Sequence, residues 1–310
     1  MRTVAFIGYG DFAHAVAGGL SAAGVELRAY VRPRADPSGA RARADRMRSA
    51  GVNAAESIAD ALAGADVAIA AVPGSAGREV AEVCAQHLRP GQLYVDPSSS
   101  LPAAKADTAD LIARSGAEYV DVAVLGTVVT AGAQVPMLAA GPGAARFRDE
   151  GTAAGLRITA MDGAAGDAAL IKLLRTVYMK GRDALVLELL LAARRHGVHE
   201  AVLESIGGPG EQVPFPKLAE RVMCSLAVYA ERRADELADA AVLLRDVGVE
   251  PLMAEAGESR LRQLAQSGLA ARFGGERPHD LAEVLDALEA LDAGPRADAG
   301  TAGNLATTGR

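Results

Sequence analysis

Tryptophan is absent from this chain of 310 residues, and five phenylalanines and six tyrosines bring the aromatic share to only 4%. So thin a supply of flat side chains argues against binding nucleic acid by base stacking. Positive charge is also short: 39 acidic residues outnumber 32 basic ones, for a formal net charge of −7. That balance speaks against a nucleic-acid backbone or an anionic membrane surface as partner. Cysteine is scarce, and Cys84 and Cys224 form no Cys-x-x-Cys pair. A disulfide scaffold and a thiolate zinc site are thereby excluded, and a reducing compartment is expected. Long apolar runs are missing as well. The most apolar stretch, 184–193, contains Glu188 and falls far short of the roughly 20 residues that span a bilayer. The first strand pattern begins at Arg2, so no signal peptide is expected and the protein is read as cytoplasmic. His196 and His199 sit at a helix end without a third ligand nearby, so no metal site is expected.

Half of the residues are apolar and 23% are charged, which is ordinary for a globular protein. The length makes two domains the default. Up to about residue 161, short apolar runs alternate with helical patterns. Strands are expected at 2–8, 26–31, 52–54, 66–72, 92–95 and 118–124, with helices between them. Runs that are apolar on both faces signal a parallel sheet covered by helices on both sides. Segments 136–140 and 157–161 are expected to extend that sheet, with a helix at 144–154 between them. After Met161 strand signals stop. Helical patterns follow at 200–206, 215–247, 253–269 and 279–293, and the residues from Gly294 onward read as a disordered tail.

Gly8-Tyr9-Gly10-Asp11-Phe12-Ala13 joins the first strand to the first helix. Gly8 permits the tight turn, Gly10 lets the backbone approach a pyrophosphate, and Ala13 lets helix and strand pack closely. The helix N-terminus then offers N–H donors and partial positive charge to phosphates. With a strand before it and a helix after it, this G-x-G-x-x-A is a dinucleotide-binding fingerprint in its required setting. The first domain is therefore read as a Rossmann-type doubly wound α/β sheet. At the end of the second strand an NAD enzyme carries an acid for the ribose hydroxyl, whereas this chain has Arg32 and Arg34 and no acid until Asp36. Arginines there suit a 2′-phosphate, so NADP(H) is expected ahead of NAD. Ala71-Val72-Pro73-Gly74-Ser75 and Asp96-Pro97-Ser98-Ser99-Ser100 end the fourth and fifth strands. Ligands lie at such strand ends. Val72, Pro73 and Ser98 are candidate cofactor contacts and Ser99 a candidate substrate contact, although serines there serve equally well as caps of the next turn or helix.

From Met161 to Gly197 the chain opens on small residues and continues for about thirty residues with no proline and one internal glycine, Gly181. A helix of that length, roughly 45 Å, is long for a compact domain and is read as a link between two. Ala168, Lys172, Thr176 and Met179 share one stripe, with Leu170, Leu174 and Val177 opposite as an apolar seam. A lone helix lysine is ordinarily a solvated side chain. Residues 184–193 are apolar nearly all round, so burial on all sides is expected.

Taken together, these segments resemble the beta-hydroxyacid dehydrogenase family, which includes hydroxyisobutyrate, tartronate semialdehyde and phosphogluconate dehydrogenases. The resemblance runs from residue 3 to about 290. Its cofactor turn is matched at Gly8, Gly10 and Ala13, and its Asp-x-Ser-Thr segment at Asp96, Ser98 and Ser99. Its substrate motif Asp-x-Pro-Val-Ser-Gly-Gly falls on Asp121 to Thr127, where Asp121, Val124 and Gly126 match and Ala123, Leu125 and Thr127 depart. Its catalytic motif falls on Gly163, Gly166, Ala168, Lys172 and Thr176, keeping the lysine and replacing the asparagine by threonine. The run from Leu173 to Gly181 and the later Ala230 to Glu236 look like one branch of the family with a distinct helical C-terminal domain of poorly defined function.

The resemblance implies hydride transfer between a nicotinamide and the carbonyl or hydroxyl carbon of a small hydroxy acid or related compound. Lys172 would be the general acid or base and Thr176 its catalytic neighbour. Gly126 and Thr127 would bind substrate, as would Arg233, which aligns with a lysine of the family. The expected domains are 1–162, 163–293 and a tail at 294–310. A homodimer through the helical domain is implied. Imine reduction on the same fold, favoured by the apolar Ala123 and Leu125, and a non-catalytic NADPH-binding sensor stand as alternatives.

Overall fold

The computed structural model describes residues 1–33, 37–208 and 212–292. The chain forms two compact units that divide between Tyr178 and Met179. The first contains β1 (Thr3–Ile7), α1 (Asp11–Ala22), β2 (Glu26–Tyr30), α2 (Pro37–Ser49), β3 (Val52–Ala54), α3 (Ile58–Leu62), β4 (Val67–Ala70), α4 (Gly77–Ala85) and β5 (Leu93–Asp96). It continues with α5 (Pro102–Ala113), β6 (Glu118–Val124), α6 (Val128–Ala131), β7 (Met137–Ala140), α7 (Ala144–Ala153), β8 (Ile158–Ala160) and the start of α8 (Asp167–Arg195).

The eight strands form one sheet in the order β3-β2-β1-β4-β5-β6-β7-β8. The alternation of side chains in β1 shows why it is apolar throughout. Val4 and Phe6 enter one core cluster, Ala5 and Ile7 the other, because helices cover both faces. Strand order reverses between β1 and β4, and that reversal opens a crevice at the carboxyl ends of the strands. One pairing departs from the expected parallel arrangement: β7 runs antiparallel to β6. The link over 125–136 carries the short α6 and returns the chain directly alongside β6, as antiparallel neighbours allow.

The second unit holds the rest of α8, then α9 (His199–Ile206), α10 (Phe215–Asp246), α11 (Leu252–Gln266), α12 (Leu269–Arg272) and α13 (Leu281–Asp292). Its core gathers Cys224, Ala227, Leu269, Val284 and Ala287. Non-helical backbone at Tyr229 kinks α10. Glu188, although charged, is buried, and it accepts hydrogen bonds from the N–H groups of Met253 and Ala254 at 2.8 and 3.0 Å, where α11 begins. Cys84 and Cys224 are both buried core residues.

In the single chain, α8 leaves several apolar side chains uncovered. The Leu174 and Val177 side of the seam is exposed, at 62% and 74%, and Leu170 is exposed with it. Within 184–193, Ala192, Ala193 and Glu188 are buried, whereas Leu185, Val186, Leu187 and Leu191 are exposed. Ala168 and Ala169 pack the first turn of α8 into the first unit, so the units part inside the helix, while the sequence places the boundary at 162/163. Among the described residues no helix is long and apolar enough to cross a membrane. The tail at 294–310 lies outside the described residues.

Candidate active site

The glycine turn after β1 borders a cavity of about 460 Å³. Gly8, Tyr9, Gly10, Arg32, Val72 and Pro73 line it, six of the residues that the sequence assigns to the cofactor. Gly8 has φ +87°, and a Cβ there would lie 2.5 Å from the Ala71 carbonyl oxygen. Only glycine fits. A Cβ at Gly10 would meet no protein atom within 4 Å, so the turn is open where a ligand would approach. The N-terminus of α1 has no side-chain cap, which leaves its N–H donors for phosphate oxygens. Ala13 is fully buried beneath this turn, and Phe12 packs on the same core cluster. Asp11 accepts from Arg46 at 3.0 Å. Arg34 lies outside the described residues.

The cavity also takes Arg43 and Arg46 from α2, which the sequence reading did not assign. Their signal was the run of arginines in that helix; their aim toward the cofactor turn emerges only from the fold. Arg32 is paired with Glu79 of α4. These features fit a dinucleotide, with three guanidinium groups around the end of β2.

Lys172 stands on the second turn of α8. Its Nζ donates to Ser99 Oγ at 2.8 Å. The helix reaches this loop because Gly166, at φ +106°, brings the start of α8 onto the start of α5. A Cβ at Gly166 would lie 2.7 Å from the Pro102 carbonyl oxygen. Thr176 Oγ1 donates to the Lys172 carbonyl at 2.9 Å, a back-bond within the helix, so its only proton is directed away from the lysine amine. Gly126 and Thr127 follow β6 on the exposed side, with Thr127 preceding α6. Leu125 packs with Ala123 and Ala168, one helical turn from Lys172.

Beneath this corner lies a buried polar group. Asp96 ends β5, and its Oδ1 accepts from the Ser98 N–H at 2.9 Å. Its Oδ2 accepts from Tyr119 Oη at 2.8 Å. Ser98, expected to touch cofactor, is itself buried and shares a hydrogen bond with Ser100 Oγ at 3.2 Å. Asp121, in β6, is fully buried, and its Oδ2 accepts from the N–H groups of Gly166 and Ala169 at 3.1 and 2.9 Å. Lys105, on α5, is 1% exposed and lies between the two carboxylates: Nζ is 3.0 Å from Asp96 Oδ1 and 3.3 Å from Asp121 Oδ1. It also donates to the Asp96 carbonyl at 2.7 Å.

Burial holds the Lys172 ammonium below the ordinary lysine pKa; the Lys105 charge lowers it further, and Asp121 and Asp96 oppose that shift. Burial, reinforced by Asp96, pushes the Tyr119 phenol far up, so Tyr119 remains a donor.

The first unit thus brings Ser99, Lys172 and Thr176 together. Arg233 lies on α10 of the second unit, where it donates to Ser225 Oγ at 2.8 Å. Sequence reasoning missed Lys105 as well as Arg43 and Arg46. Asp96 and Asp121 were visible as motif positions, but nothing in the sequence joins them to Lys105.

Residues 3–149 match the family described as the NAD binding domain of 6-phosphogluconate dehydrogenase. Residues 193–264 match a domain of unknown function, DUF1932. A conserved hypothetical protein from Sinorhizobium meliloti is 31% identical over 87% of this chain and 89% of its own, with a TM-score of 0.57. A conserved protein described as structurally similar to 3-hydroxyacid dehydrogenases is 29% identical over 85% of this chain and 98% of its own, also with a TM-score of 0.57. An imine reductase from Myxococcus stipitatus in complex with NADP+ shares the fold, with a TM-score of 0.72 at 18% identity over 92% and 99% of the two chains. Pyrroline-5-carboxylate reductase from Pseudomonas aeruginosa is 36% identical over 34% of this chain, a match that spans only 37% of that enzyme's length.

Proposed function

This chain belongs to the 6-phosphogluconate dehydrogenase-like family of oxidoreductases, and on that premise we propose that it is an NADP(H)-dependent enzyme interconverting a carbonyl and a hydroxyl on a small hydroxy acid or related compound. Lys172 is the proton donor and acceptor. The observation that carries this reading is the Lys172 amine, held by Ser99 Oγ at 2.8 Å and kept below its ordinary pKa by burial and by Lys105. A nicotinamide dinucleotide held at the Gly8–Gly10 turn, Val72 and Pro73 would supply the hydride chemistry at the substrate carbon. Lys172 gives a proton to the substrate oxygen as the carbonyl is reduced, and takes it back in the oxidative direction. Ser99 fixes the amine in place. Thr176 has its proton engaged, so it faces substrate as an acceptor. Gly126 and Thr127 offer backbone and hydroxyl donors. Arg32, Arg43 and Arg46 favour a 2′-phosphate.

The lowered lysine pKa sets the sign of the pH dependence. Reduction needs the ammonium, so reductive turnover falls as pH rises through the Lys172 pKa, and oxidative turnover rises through it. Both limbs lie below the alkaline range of an ordinary lysine, and initial rates in the two directions against pH check this.

Leu125, half-buried on the core of Ala123 and Ala168, puts an apolar side chain where the family's substrate motif has a serine, which favours imine reduction as the second reading. NADPH consumption is to be measured against small keto acids, aldehydes and cyclic imines. Turnover on keto acids or aldehydes supports the proposal, and turnover on cyclic imines alone moves the assignment to imine reduction. Tight NADPH binding with no turnover on any of them would make the protein a sensor. The exposed Leu174, Val177 and Leu187 support a homodimer that covers them; a monomer by light scattering at micromolar concentration contradicts it.

A further inference from the structure

A buried lysine is costly unless its charge is answered, and Lys105 is answered twice. Its ammonium contacts Asp96 Oδ1, Asp121 Oδ1 and the Asp96 carbonyl oxygen. Each carboxylate has a second task. Asp96 holds the Ser98 N–H, and so the loop that carries Ser99. Asp121 holds the N–H groups of Gly166 and Ala169, and so the turn of α8 that precedes Lys172. Asp121 Oδ1 has no hydrogen bond, so the Lys105 ammonium is what compensates it. The amine of Lys172 and its acceptor Ser99 therefore come from two separate elements, and Lys105 is the group that both supports share.

We propose that Lys105 is a positioning residue for Lys172, its buried ammonium joining the two carboxylates that hold the Ser99 loop and the first turn of α8 and so fixing where the Lys172 amine sits. The proposal rests on the reading of Lys172 as the proton-transfer group. Lys105 touches neither cofactor turn nor Ser99 and acts through Asp96 and Asp121. The charged groups that bear on Lys172 are Lys105 of α5, Asp96 of β5 and Asp121 of β6; Tyr119 enters as a neutral donor to Asp96. Two carboxylates against one ammonium leave the group net negative. Removing Lys105 removes a repulsion and bares both carboxylates, so Lys172 holds its proton more tightly. Removing one carboxylate does the reverse.

The test reads the Lys172 amine directly, without turnover. Lys105→Met, Lys105→Arg and Asp96→Asn proteins are labelled with acetic anhydride across alkaline pH, and the rate at Lys172 is followed by peptide mass spectrometry. At a fixed pH below its titration, Lys172 labels about tenfold more slowly in Lys105→Met, the change expected for one pKa unit. Lys105→Arg returns it most of the way. Asp96→Asn, nearly isosteric and chosen in case Lys105→Met does not fold, moves the labelling curve to lower pH. A Lys172 curve that stays in place in a folded Lys105→Met or Asp96→Asn protein overturns the proposal. Wild-type turnover in Lys172→Ala would instead overturn the catalytic reading, and the labelling curves would still report whether Lys105 governs the amine.

Discussion

Each unit contains a buried carboxylate that grips the start of a helix, and the two are built differently. Asp121 takes the N–H groups of Gly166 and Ala169 at the start of α8. Glu188 takes those of Met253 and Ala254 at the start of α11. The local task is the same: unsatisfied helix donors and a positive dipole end receive a negative acceptor. Yet Asp121 lies beside a buried ammonium and a second carboxylate, whereas among the described residues no cation pairs with Glu188. Holding a helix start therefore does not by itself call for an ion network. The Asp96–Lys105–Asp121 group exists in the unit where a lysine must be presented at a strand-end loop, and that coincidence is what ties it to Lys172.

Substitutions can break this comparison. Asp121→Ala removes one partner of a buried ion group and is expected to cost about 3–5 kcal/mol, read by urea unfolding. Glu188→Ala leaves two helix donors unmet, at up to about 1–3 kcal/mol each, without stranding a cation, and should cost less than Asp121→Ala, which frees two helix donors and also strands Lys105. Equal losses would mean that Lys105 adds nothing beyond a helix cap. An exposed cation sets the lower end of the scale. Arg43→Ala should weaken NADPH binding by about 1 kcal/mol, or roughly fivefold, as a solvent-screened pair would. NADH binding should be unchanged. Equal loss for both cofactors would remove Arg43 from 2′-phosphate recognition.

Much of the first unit was legible because its code is local. A strand pattern with a helix pattern behind it recurs from β1 to β6, and at the first of these junctions the strand is apolar on both faces and ends in the glycine of the cofactor turn. The direction of β7 was not legible, since a strand buried on both faces looks the same whichever way it runs. Lys172 stood out only through the resemblance of Gly163, Gly166 and Lys172 to the family's catalytic motif. Lys105 did not: in Ala103-Ala104-Lys105-Ala106-Asp107 it has the pattern of any solvated helix lysine, and only the pairing of β5 with β6 sets Asp96 beside Asp121 to receive it. The exposure of Leu174 and Val177 was hidden for a related reason, because periodicity reports an apolar face and not what covers it.

The most direct test of the account is Lys172→Ala, measured for NADPH affinity and for turnover on whichever substrate the panel identifies. NADPH affinity should be unchanged, because the cofactor cavity is lined by other elements, while turnover should fall about a hundred- to ten-thousand-fold, the usual contribution of a positioned acid or base. Turnover near that of the unmodified protein would contradict it.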